Sequence, residues 1–598
     1  MRNDKPGENL DVGAIRARYE AERIKRLKPA GTDQYNFAEG KFAKFAEDPH
    51  AGAPTPRDSV QSEIDVLVIG TGIGGIQLGA TLRQNGIDDF LMADVAADFG
   101  GTWYWNRYPG VRCDVESYIY LPFLEETGYV PTERYARGSE ILAYCQQLGR
   151  HFGLYDRALF QTRITGMTWD EASARWFVST NRGDELRARF VTTQSGIFSR
   201  PQLPGIPGID DFEGCSFHSA RWNYDFTGGN SDGGLDKLAD KRVGIIGTGT
   251  TALQVVPELA EAARHLTVFQ RTPTAVGVRD NGPTDMHWFM SQPKGWHRAR
   301  IKSFNALANG EDVDCPVSDG WARFFRLMIN SVGAISATKL NPESAADAQE
   351  VADFGYNEEV RTRVDGYVRD RQKALLLKAY YRTMCKRPGF SDHYLPAFDR
   401  DNVKLVDVST GIEKISKNGV VVDGVEHQLD CLIFCTGFEL GTTWAHQSGY
   451  DVIGRDGLKL SDKWMEGLRT YHGLFSKGFP NMFFMGLTQT GPTVNVPHML
   501  QEQADHLTFV IKHCLQNNCR TIDATDEAEE AWQEAIDAVS ELRRPFQESC
   551  TPGYFNAEGH VGDRRSAIGS GWYLPSSQFF DMWADWRAAN KFEGLVVT

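Results

Sequence analysis

The chain has 598 residues, of which 41% are hydrophobic and 24% are charged, and this composition predicts a globular protein of several domains. Its formal net charge of −15 argues against a nucleic-acid partner and against binding to an anionic membrane surface. No apolar run is long enough to span a bilayer, and the amino terminus leads into no apolar segment, so we expect a cytoplasmic protein without a membrane span.

Ten cysteines are scattered along the chain without a CxxC pair. This distribution predicts reduced, mostly structural thiols. It also argues against a disulfide reductase, which would need a redox-active cysteine pair.

Residues 1–60 form an extension that precedes the first predicted strand. Val12 to Leu27 has the pattern of a charged helix, and residues 48–60 are rich in proline, which is typical of a linker. We expect the extension to be a packing arm or a lid rather than a catalytic segment.

A glycine-rich fingerprint, Gly70-Thr71-Gly72-Ile73-Gly74-Gly75, lies in the next predicted region, residues 61–215. It follows an apolar run and precedes a helical pattern, an order that places backbone N–H groups and a helix N-terminus against a pyrophosphate. The next strand runs into Asp94, whose carboxylate suits the ribose hydroxyls of an unphosphorylated adenosine, as in FAD or NAD. The candidate FAD contacts here are Gly70, Gly72, Gly75 and Asp94.

A second fingerprint, Gly247-Thr248-Gly249-Thr250-Thr251-Ala252, has the same order of strand, turn and helix. Its next strand runs into Arg271-Thr272, at the same offset of 24 residues that separates Asp94 from Gly70. A guanidinium at this position suits a 2′-phosphate, so we predict NADPH as the second cofactor. The candidate contacts are Gly247, Gly249, Thr250, Arg271 and Thr272.

Two such fingerprints predict an α/β protein with two Rossmann-like dinucleotide-binding domains, one for FAD and one for NADP. We place the NADP-binding domain at residues 216–400, with a helical insertion at about 286–380. The FAD-binding domain would resume over residues 401–598, which would also carry a substrate-site segment. Leu432 to Phe438 resembles Val191 to Gly196, as expected where the chain crosses between the two domains.

Between the fingerprints lies FxGxxxHxxxW, formed by Phe212, Gly214, His218 and Trp222. A longer motif runs from Gly100 to Asp114, and shorter ones cover residues 269–273, 385–388 and 435–438. Together they resemble the signatures of type I Baeyer–Villiger monooxygenases over roughly residues 61–560. One departure is Asn223, where the family usually has Pro or Asp, and we expect it to loosen the turn slightly.

The resemblance implies an NADPH- and O2-dependent enzyme that converts a ketone to an ester or lactone through a C4a-peroxyflavin and a Criegee intermediate. In that reaction Arg387 would be the permanent cation and Asp114 the carboxylate that orients it. Without the resemblance, Arg387 would be interpreted as a surface arginine and Asp114 as a capping residue. Lys386 would join Arg271 at the 2′-phosphate, and NADP+ would stay bound after reducing the flavin.

The family also implies further roles. We expect His218 to be a hinge residue between the nucleotide domains, because no carboxylate or serine lies at catalytic spacing from it. The remaining cofactor contacts implied by the resemblance are Gly101, Thr102, Trp103, Asp114, Tyr120 and Thr436.

The segment Cys550 to Gly559 departs from the Trp-led motif of many members and contributes Tyr554 as a candidate substrate contact. With the long extension, it is similar to the subgroup that acts on large cyclic ketones, such as cyclopentadecanone and cyclododecanone monooxygenases, and to some terpenoid or steroid relatives. Alternatives are a related flavin N- or S-monooxygenase and a non-catalytic flavin-binding protein. Neither HExxH nor GxSxG occurs, so we expect no metal site and no hydrolase.

Overall fold

A computed structural model describes residues 10–194, 196–336, 342–562, 571–572 and 574–598. The first sheet is built around the strand Gln61–Ile69, which pairs in parallel with Glu185–Thr193 and with Phe90–Ala93. The strands Ile164–Asp170 and Arg175–Thr180 form an antiparallel hairpin that continues this sheet beside Glu185–Thr193. The strand order is Val452–Ile453, Ile164–Asp170, Arg175–Thr180, Glu185–Thr193, Gln61–Ile69, Phe90–Ala93 and Ala158–Leu159, with Met482–Phe484 beside Glu185–Thr193.

The second sheet is entirely parallel. Its strand order is Val403–Asp407, His265–Gln270, Arg242–Ile246, Cys431–Phe434 and Cys215–His218. The boundary predicted at residue 400 is therefore too early, because two strands of this sheet lie beyond it. All four residues of Cys431–Phe434 are buried in the sheet, and an apolar run of this kind does not reveal in sequence which sheet it joins.

Three smaller sheets consist of two strands each, and one consists of three. The pairs are Tyr35–Phe37 with Gln202–Pro204, Val276–Gly277 with Gly389–Phe390, and Ile522–Ala524 with Leu595–Val597. The three-stranded sheet is antiparallel and contains Lys414–Ser416, Gly419–Val422 and Val425–Gln428.

Helices surround the sheets. The longer α-helices are Val12–Arg26, Ile73–Gln84, Gly138–His151, Thr250–Ala262, Trp296–Ala308, Gly320–Ser336, Pro342–Tyr367, Arg371–Leu377, Val496–Gln516, Asp526–Ser549 and Ser576–Ala589. The short ones are Thr102–Trp105, Ser117–Tyr120, Leu124–Thr127, Tyr224–Thr227, Met286–Met290, Tyr394–Ala397, Trp444–Ser448 and Leu460–Lys463. Short 3₁₀ helices are Gly31–Gln34, Gly40–Phe45, Tyr155–Arg157, Ser219–Arg221, Asp236–Leu238, Arg455–Gly457 and Tyr554–Gly559. None of the helices in the described part of the chain is long and apolar enough to cross a membrane.

The α/β fold with a helical insertion is confirmed. Along the chain, the helices from Met286–Met290 to Arg371–Leu377 come after the strand His265–Gln270 and before the strand Val403–Asp407. These two strands are direct neighbours in the second sheet. The insertion therefore leaves the pairing of these two strands intact.

The amino-terminal extension is packed against the rest of the molecule. The predicted helix forms at Val12–Arg26, and its Tyr19 ring meets Phe354 edge-on at 5.3 Å. Arg361 donates a 3.0 Å hydrogen bond to the Tyr19 hydroxyl. The strand Tyr35–Phe37 then pairs with Gln202–Pro204 and anchors the extension to the rest of the chain.

Both fingerprints form tight turns that require glycine. A Cβ atom on Gly75 would lie 2.0 Å from the Gly70 carbonyl oxygen, so the helix packs directly onto the turn. Gly247 has a φ of +109°, and its Cβ would lie 2.2 Å from the Cys435 oxygen. A larger residue at Gly75 would push the helix away from its turn, and one at Gly247 would push the turn away from Cys435.

Cys385 and Cys550 form a disulfide, with a Cα–Cα distance of 5.1 Å. The prediction of reduced thiols is wrong for this pair, because the fold brings together residues 165 positions apart. The bond joins the residue before Lys386 to the start of the 550–559 segment. The other eight cysteines are free.

Asn223 does not loosen the turn that follows the signature tryptophan. Its side chain accepts a 3.0 Å hydrogen bond from the Phe226 N–H and caps the helix Tyr224–Thr227. Asparagine is among the favoured N-cap residues, so the departure from the family pattern is locally compensated.

Candidate active site

One large cavity of about 1630 Å³ lies along the carboxyl ends of parallel strands in both large sheets. Its wall includes Ile69 and Ala93 of the first sheet and Ile246 of the second. Ligands of open α/β sheets bind at this edge, outside the carboxyl ends of the strands. The predicted site residues that line it are Gly70, Gly72, Asp94, Gly101, Thr102, Trp103, Asp114, Tyr120, Gly247, Gly249, Thr250, Arg271, Thr272, Lys386, Arg387, Thr436 and Tyr554.

At the first glycine turn, Asp94 is held by hydrogen bonds from neighbouring loop residues. One carboxylate oxygen accepts from the Thr71 N–H at 2.6 Å and from the Thr71 hydroxyl at 2.9 Å. The other accepts from the Ala96 N–H at 2.9 Å. A carboxylate has about four acceptor positions, so Asp94 is fixed in place and retains capacity for a ribose hydroxyl.

The loop that carries the longer motif approaches this turn closely. Gly101 has a φ of +53°, and a Cβ there would lie 2.5 Å from the Gly72 Cα, so the two loops meet backbone to backbone. Beyond them, the Trp103 indole donates a 3.1 Å hydrogen bond to the Tyr120 hydroxyl. The aromatic rings therefore form a fixed wall beside the glycine turn.

Arg387 and Asp114 form an ion pair inside the cavity. One Arg387 Nη donates to the Asp114 carboxylate at 2.7 Å, and the guanidinium lies 5.7 Å from the centre of the Trp321 ring. The arginine side chain is 34% exposed, because it faces the cavity, whereas the Asp114 side chain is only 10% exposed. Burial lowers the pKa of Arg387, but the charge and hydrogen bond of Asp114, together with the nearby Tyr554 hydroxyl, raise that pKa above its ordinary value.

Lys386, the neighbour of Arg387, has a different electrostatic environment. Its ammonium group donates a 2.9 Å hydrogen bond to the Pro552 carbonyl. Burial, and then the nearby charge of Arg271, lower the pKa of Lys386 to about 8. With this pKa, Lys386 is mostly protonated at pH 7 and loses its proton above about pH 8, whereas Arg387 stays charged.

The second glycine turn also faces the cavity. A Cβ on Gly249 would meet no atom within 4 Å, so space is open beside this turn. The strand that follows ends in Arg271, whose guanidinium contacts Glu558 and Tyr35. The Thr436 hydroxyl donates a 2.5 Å hydrogen bond to the Gln202 carbonyl and thereby links the segment after Cys431–Phe434 to the strand Gln202–Pro204.

Five predicted residues lie outside the cavity wall: Gly75, Phe212, Gly214, His218 and Trp222. Gly75 packs against its own turn, as described above for the fold. The Trp222 indole donates to the Thr227 hydroxyl at 3.0 Å and is buried. These residues support the site without lining it.

His218 is buried at the carboxyl end of the edge strand Cys215–His218. Its Nδ1 accepts a 3.1 Å hydrogen bond from the Ala220 N–H, and its Nε2 has no partner among the described residues. Burial, and then the charge of Arg221, lower the pKa of His218 to about 3. The imidazole is therefore neutral, and no carboxylate of the described chain holds it as a catalytic base would be held.

Several residues of the site had no signal in the sequence. Trp321 lies beside Arg387, and Lys28, Tyr35 and Glu558 surround Arg271. The last three come from the two ends of the chain, and only the fold brings them to the second glycine turn. Within the described residues, no cluster of three or more His, Cys, Asp or Glu side chains could hold a metal ion.

Comparisons with known proteins agree with this geometry. A family model described as flavin-binding monooxygenase-like matches residues 111–292, and one described as an NAD(P)-binding Rossmann-like domain matches residues 68–129. Neopentalenolactone D synthase from Streptomyces avermitilis is 47% identical over 98% of this chain and 99% of its own length. Baeyer-Villiger monooxygenase 4 from Dietzia sp. is 43% identical over 98% of this chain and 96% of its own.

A solved structure is similar over nearly the whole chain. The polycyclic ketone monooxygenase from the thermophilic fungus Thermothelomyces thermophila superposes with a TM-score of 0.89 at 36% sequence identity. The match covers 98% of this chain and 99% of that one, so the amino-terminal extension and the carboxyl-terminal segment both lie within it.

Proposed function

The chain belongs to the type I Baeyer–Villiger monooxygenase family, and we propose that Arg387 supplies the fixed positive charge that its reaction requires. The protein is an FAD-dependent monooxygenase that uses NADPH and O2 and converts ketones to esters or lactones. The observation that carries the assignment of Arg387 is its ion pair with Asp114, inside the cavity that both glycine turns line.

The residues present fit two dinucleotides. Gly72 and Gly101 present backbone without side chains to the cavity at the first turn, and space is open beside Gly249 at the second, so a pyrophosphate can approach each turn. Around the first, we propose that FAD is held by Gly70, Gly72, Asp94, Gly101, Thr102, Trp103, Asp114, Tyr120 and Thr436. Around the second, NADPH would be held by Gly247, Gly249, Thr250, Arg271, Thr272 and Lys386. When bound, FAD and NADPH supply the hydride transfer and the oxygen activation.

Arg387 meets the requirement for a permanent cation in the cavity. When a ketone is attacked, negative charge develops on its oxygen, and a preorganised donor stabilises that charge best in a site from which water is excluded. Asp114 holds the guanidinium in one orientation through the 2.7 Å hydrogen bond, which leaves other N–H groups for the substrate. Asp114 is thus a positioning residue for Arg387.

We propose that His218 acts as a hinge between the nucleotide sheets. It ends the strand that pairs with Cys431–Phe434, next to the segment that continues towards Thr436. We expect His218→Ala to keep FAD bound but to slow flavin reduction and oxygenation together, because both steps depend on the relative movement of the two nucleotide domains. Stopped-flow absorbance would measure both steps, and a loss confined to oxygen transfer would instead make His218 a catalytic residue.

The substrate class that we propose is large cyclic ketones, including polycyclic, terpenoid or steroid ketones. Two relatives over nearly the full length are named neopentalenolactone D synthase and polycyclic ketone monooxygenase. The large cavity, in which Tyr554 lies on the carboxyl-terminal segment, supports the same class.

Product analysis on a panel of ketones tests this proposal. Equal concentrations of a small cyclic ketone, a macrocyclic ketone and a steroid ketone would be converted with NADPH in air, and the products identified by mass spectrometry. We expect esters or lactones, formed fastest from the larger ketones. If the small ketone reacts fastest, the proposed substrate class is wrong, and if no ketone reacts but amines or sulfides do, the proposed role of Arg387 is wrong.

The predicted cytoplasmic location stays a prediction. In a reducing compartment the Cys385–Cys550 bond would be unusual, because thiol reductants there keep most cysteines reduced. Non-reducing mass spectrometry of protein purified with alkylated thiols would show which state the protein adopts in the cell.

A further inference from the structure

The Arg271 guanidinium, which we propose as the reader of the 2′-phosphate, is already paired with a carboxylate. One Arg271 Nη lies 3.1 Å from Glu558 Oε2 and also donates to the Tyr35 hydroxyl at 3.1 Å. Tyr35 in turn donates to Glu558 Oε1 at 2.9 Å. The three groups form a closed set of contacts, in which the Glu558 side chain is only 7% exposed.

Positive charge exceeds negative charge around this set. Burial, and then the charge of Arg271, lower the pKa of Lys28, as they lower that of Lys386. Burial raises the pKa of Glu558, but Arg271 and Lys386 outweigh it and keep that pKa below its ordinary value. One ionised carboxylate therefore faces three cationic side chains, whereas a phosphate monoester carries a charge of about −1.5 to −2 at neutral pH.

A second polar group beside Arg271 also has room for a ligand. The Thr272 hydroxyl is buried, lines the same cavity and has no hydrogen-bond partner among the described residues. Lys28, Tyr35, Lys386 and Glu558 line that cavity too, so a ligand in it can reach the whole cluster.

Glu558 is held in this position by an unusual backbone conformation. Ala557 and Glu558 have φ values of +47° and +57°, the left-handed region that residues other than glycine rarely adopt. They interrupt the 3₁₀ helix Tyr554–Gly559, which also carries Tyr554 at the cavity. Release of the Glu558 carboxylate from Arg271 would free this segment, which also carries Tyr554.

We propose that Glu558 is a specificity residue that occupies the 2′-phosphate position until NADPH replaces it. The carboxylate pairs with Arg271 and Tyr35 where the phosphate would bind, and the phosphate, with its larger charge, displaces it. NADH has no 2′-phosphate and leaves Glu558 in place. The proposal rests on the proposed role of Arg271 and adds that both ends of the chain, through Tyr35 and Glu558, control access to it.

Direct binding to the oxidised, FAD-loaded protein tests the proposal. Isothermal titration calorimetry would give the Kd of NADP+ and of NAD+ for the parent and for Glu558→Gln, which keeps the shape and removes the charge. We expect the Kd of NADP+ to fall about tenfold in the variant. The reason is that the Glu558–Arg271 ion pair, which competes with the phosphate in the parent, no longer reduces the apparent affinity. The Kd of NAD+ should change less than twofold. Glu548→Gln, an exposed carboxylate on the preceding helix, is the matched control and should change neither.

Hydrogen exchange provides a second readout that needs no substitution. In the parent, NADP+ should raise amide exchange in the peptide that covers residues 554–560, and NAD+ should not. If NADP+ leaves that exchange unchanged, or if Glu558→Gln binds NADP+ no tighter than the parent, Glu558 does not compete with the phosphate. A parent that binds NADP+ and NAD+ equally would overturn the proposed role of Arg271 as well, so the two failures are distinguishable.

Discussion

The two glycine turns share one backbone but differ in how the residue at the next strand end is held. Gly70 and Gly247 have φ values of +111° and +109°. Asp94 is fixed by Thr71 and Ala96, which belong to the same turn region, whereas Arg271 is paired with side chains 236 and 287 residues away. The first site is thus preorganised locally, and the second is completed by the two ends of the chain.

This difference matches the proposed roles of the two nucleotides. FAD stays bound through every turnover, so a locally built site suits it. NADPH must enter and the oxidised coenzyme must leave. Because the second site is completed by the segments that carry Tyr35 and Glu558, movement of these segments can be coupled to coenzyme binding and release. Arg387 lies in the cavity that the two sites share. Substitutions at Arg387, Asp94 and Arg271 test whether the two nucleotide sites and the catalytic cation have these separate roles.

The largest effect is expected at Arg387. Arg387→Ala should lower ester formation at least 10²–10³-fold, because it removes a preorganised donor with a full charge, while FAD and NADP+ still bind. Arg387→Lys should restore little, since an ammonium lacks the planar fork that Asp114 holds. Product formation per NADPH consumed, measured by gas chromatography, separates this loss from uncoupled NADPH oxidation.

Arg382→Ala is the matched control, because that arginine lies five positions earlier and contacts Glu350 at 3.7 Å outside the cavity wall. Its product formation should be close to that of the parent. Conversion by Arg387→Ala within tenfold of the parent rate would show that the cation lies elsewhere, with Arg112 the next to test among the arginines of the cavity wall.

A smaller effect is expected at the first turn. Asp94→Ala should weaken FAD binding by roughly 10- to 100-fold, the size expected for lost hydrogen bonds to a charged group. Asp94→Asn should lose less, because its amide oxygen can still accept from the Thr71 N–H. Flavin retained after dialysis reports the loss, and full retention by Asp94→Ala would show that the first site does not depend on this carboxylate.

The sequence was sufficient to predict the features that depend on local pattern. Both glycine turns, the residues at the strand ends, the helix at 12–26 and the helical insertion follow from motif and periodicity. The role proposed for Arg387 required the family resemblance, since an arginine before a proline is otherwise an ordinary loop residue.

The features that sequence missed are contacts between distant residues. The Arg271–Glu558 pair, the Cys385–Cys550 bond and the assignment of Cys431–Phe434 to the second sheet all depend on which segments the fold brings together. Neither spacing nor composition encodes such pairings, because each involves residues more than 160 positions apart or a choice between two sheets.

The helical insertion of the second unit should also make stability depend on pH. Asp319 is buried, and one of its oxygens accepts a 2.8 Å hydrogen bond from the Ala322 N–H. Burial raises the pKa of Asp319 to about 7. The unfolded chain loses this proton near pH 4 and the folded chain only near pH 7, so stability falls as the pH rises between these values.

Asp319→Asn should remove that penalty. At pH 8 the free energy of unfolding of the variant should exceed that of the parent by up to about 4 kcal/mol, so the variant unfolds at a higher temperature. At pH 4 the two should unfold at nearly the same temperature. Differential scanning fluorimetry at both pH values would measure this. A variant less stable than the parent at pH 8 would mean that the folded protein stabilises the ionised form of Asp319.

The central claim is that the charge at the strand end decides which nucleotide each turn binds, and coenzyme affinity tests it most directly. Oxidised, FAD-loaded parent and Arg271→Ala would each be titrated with NADP+ and with NAD+ by isothermal titration calorimetry. We expect the parent to bind NADP+ at least tenfold more tightly than NAD+. Arg271→Ala should lose about 1.5–3 kcal/mol of NADP+ binding and bind the two with nearly equal Kd. Equal affinities in the parent, or an equal loss for both coenzymes in the variant, would contradict the claim.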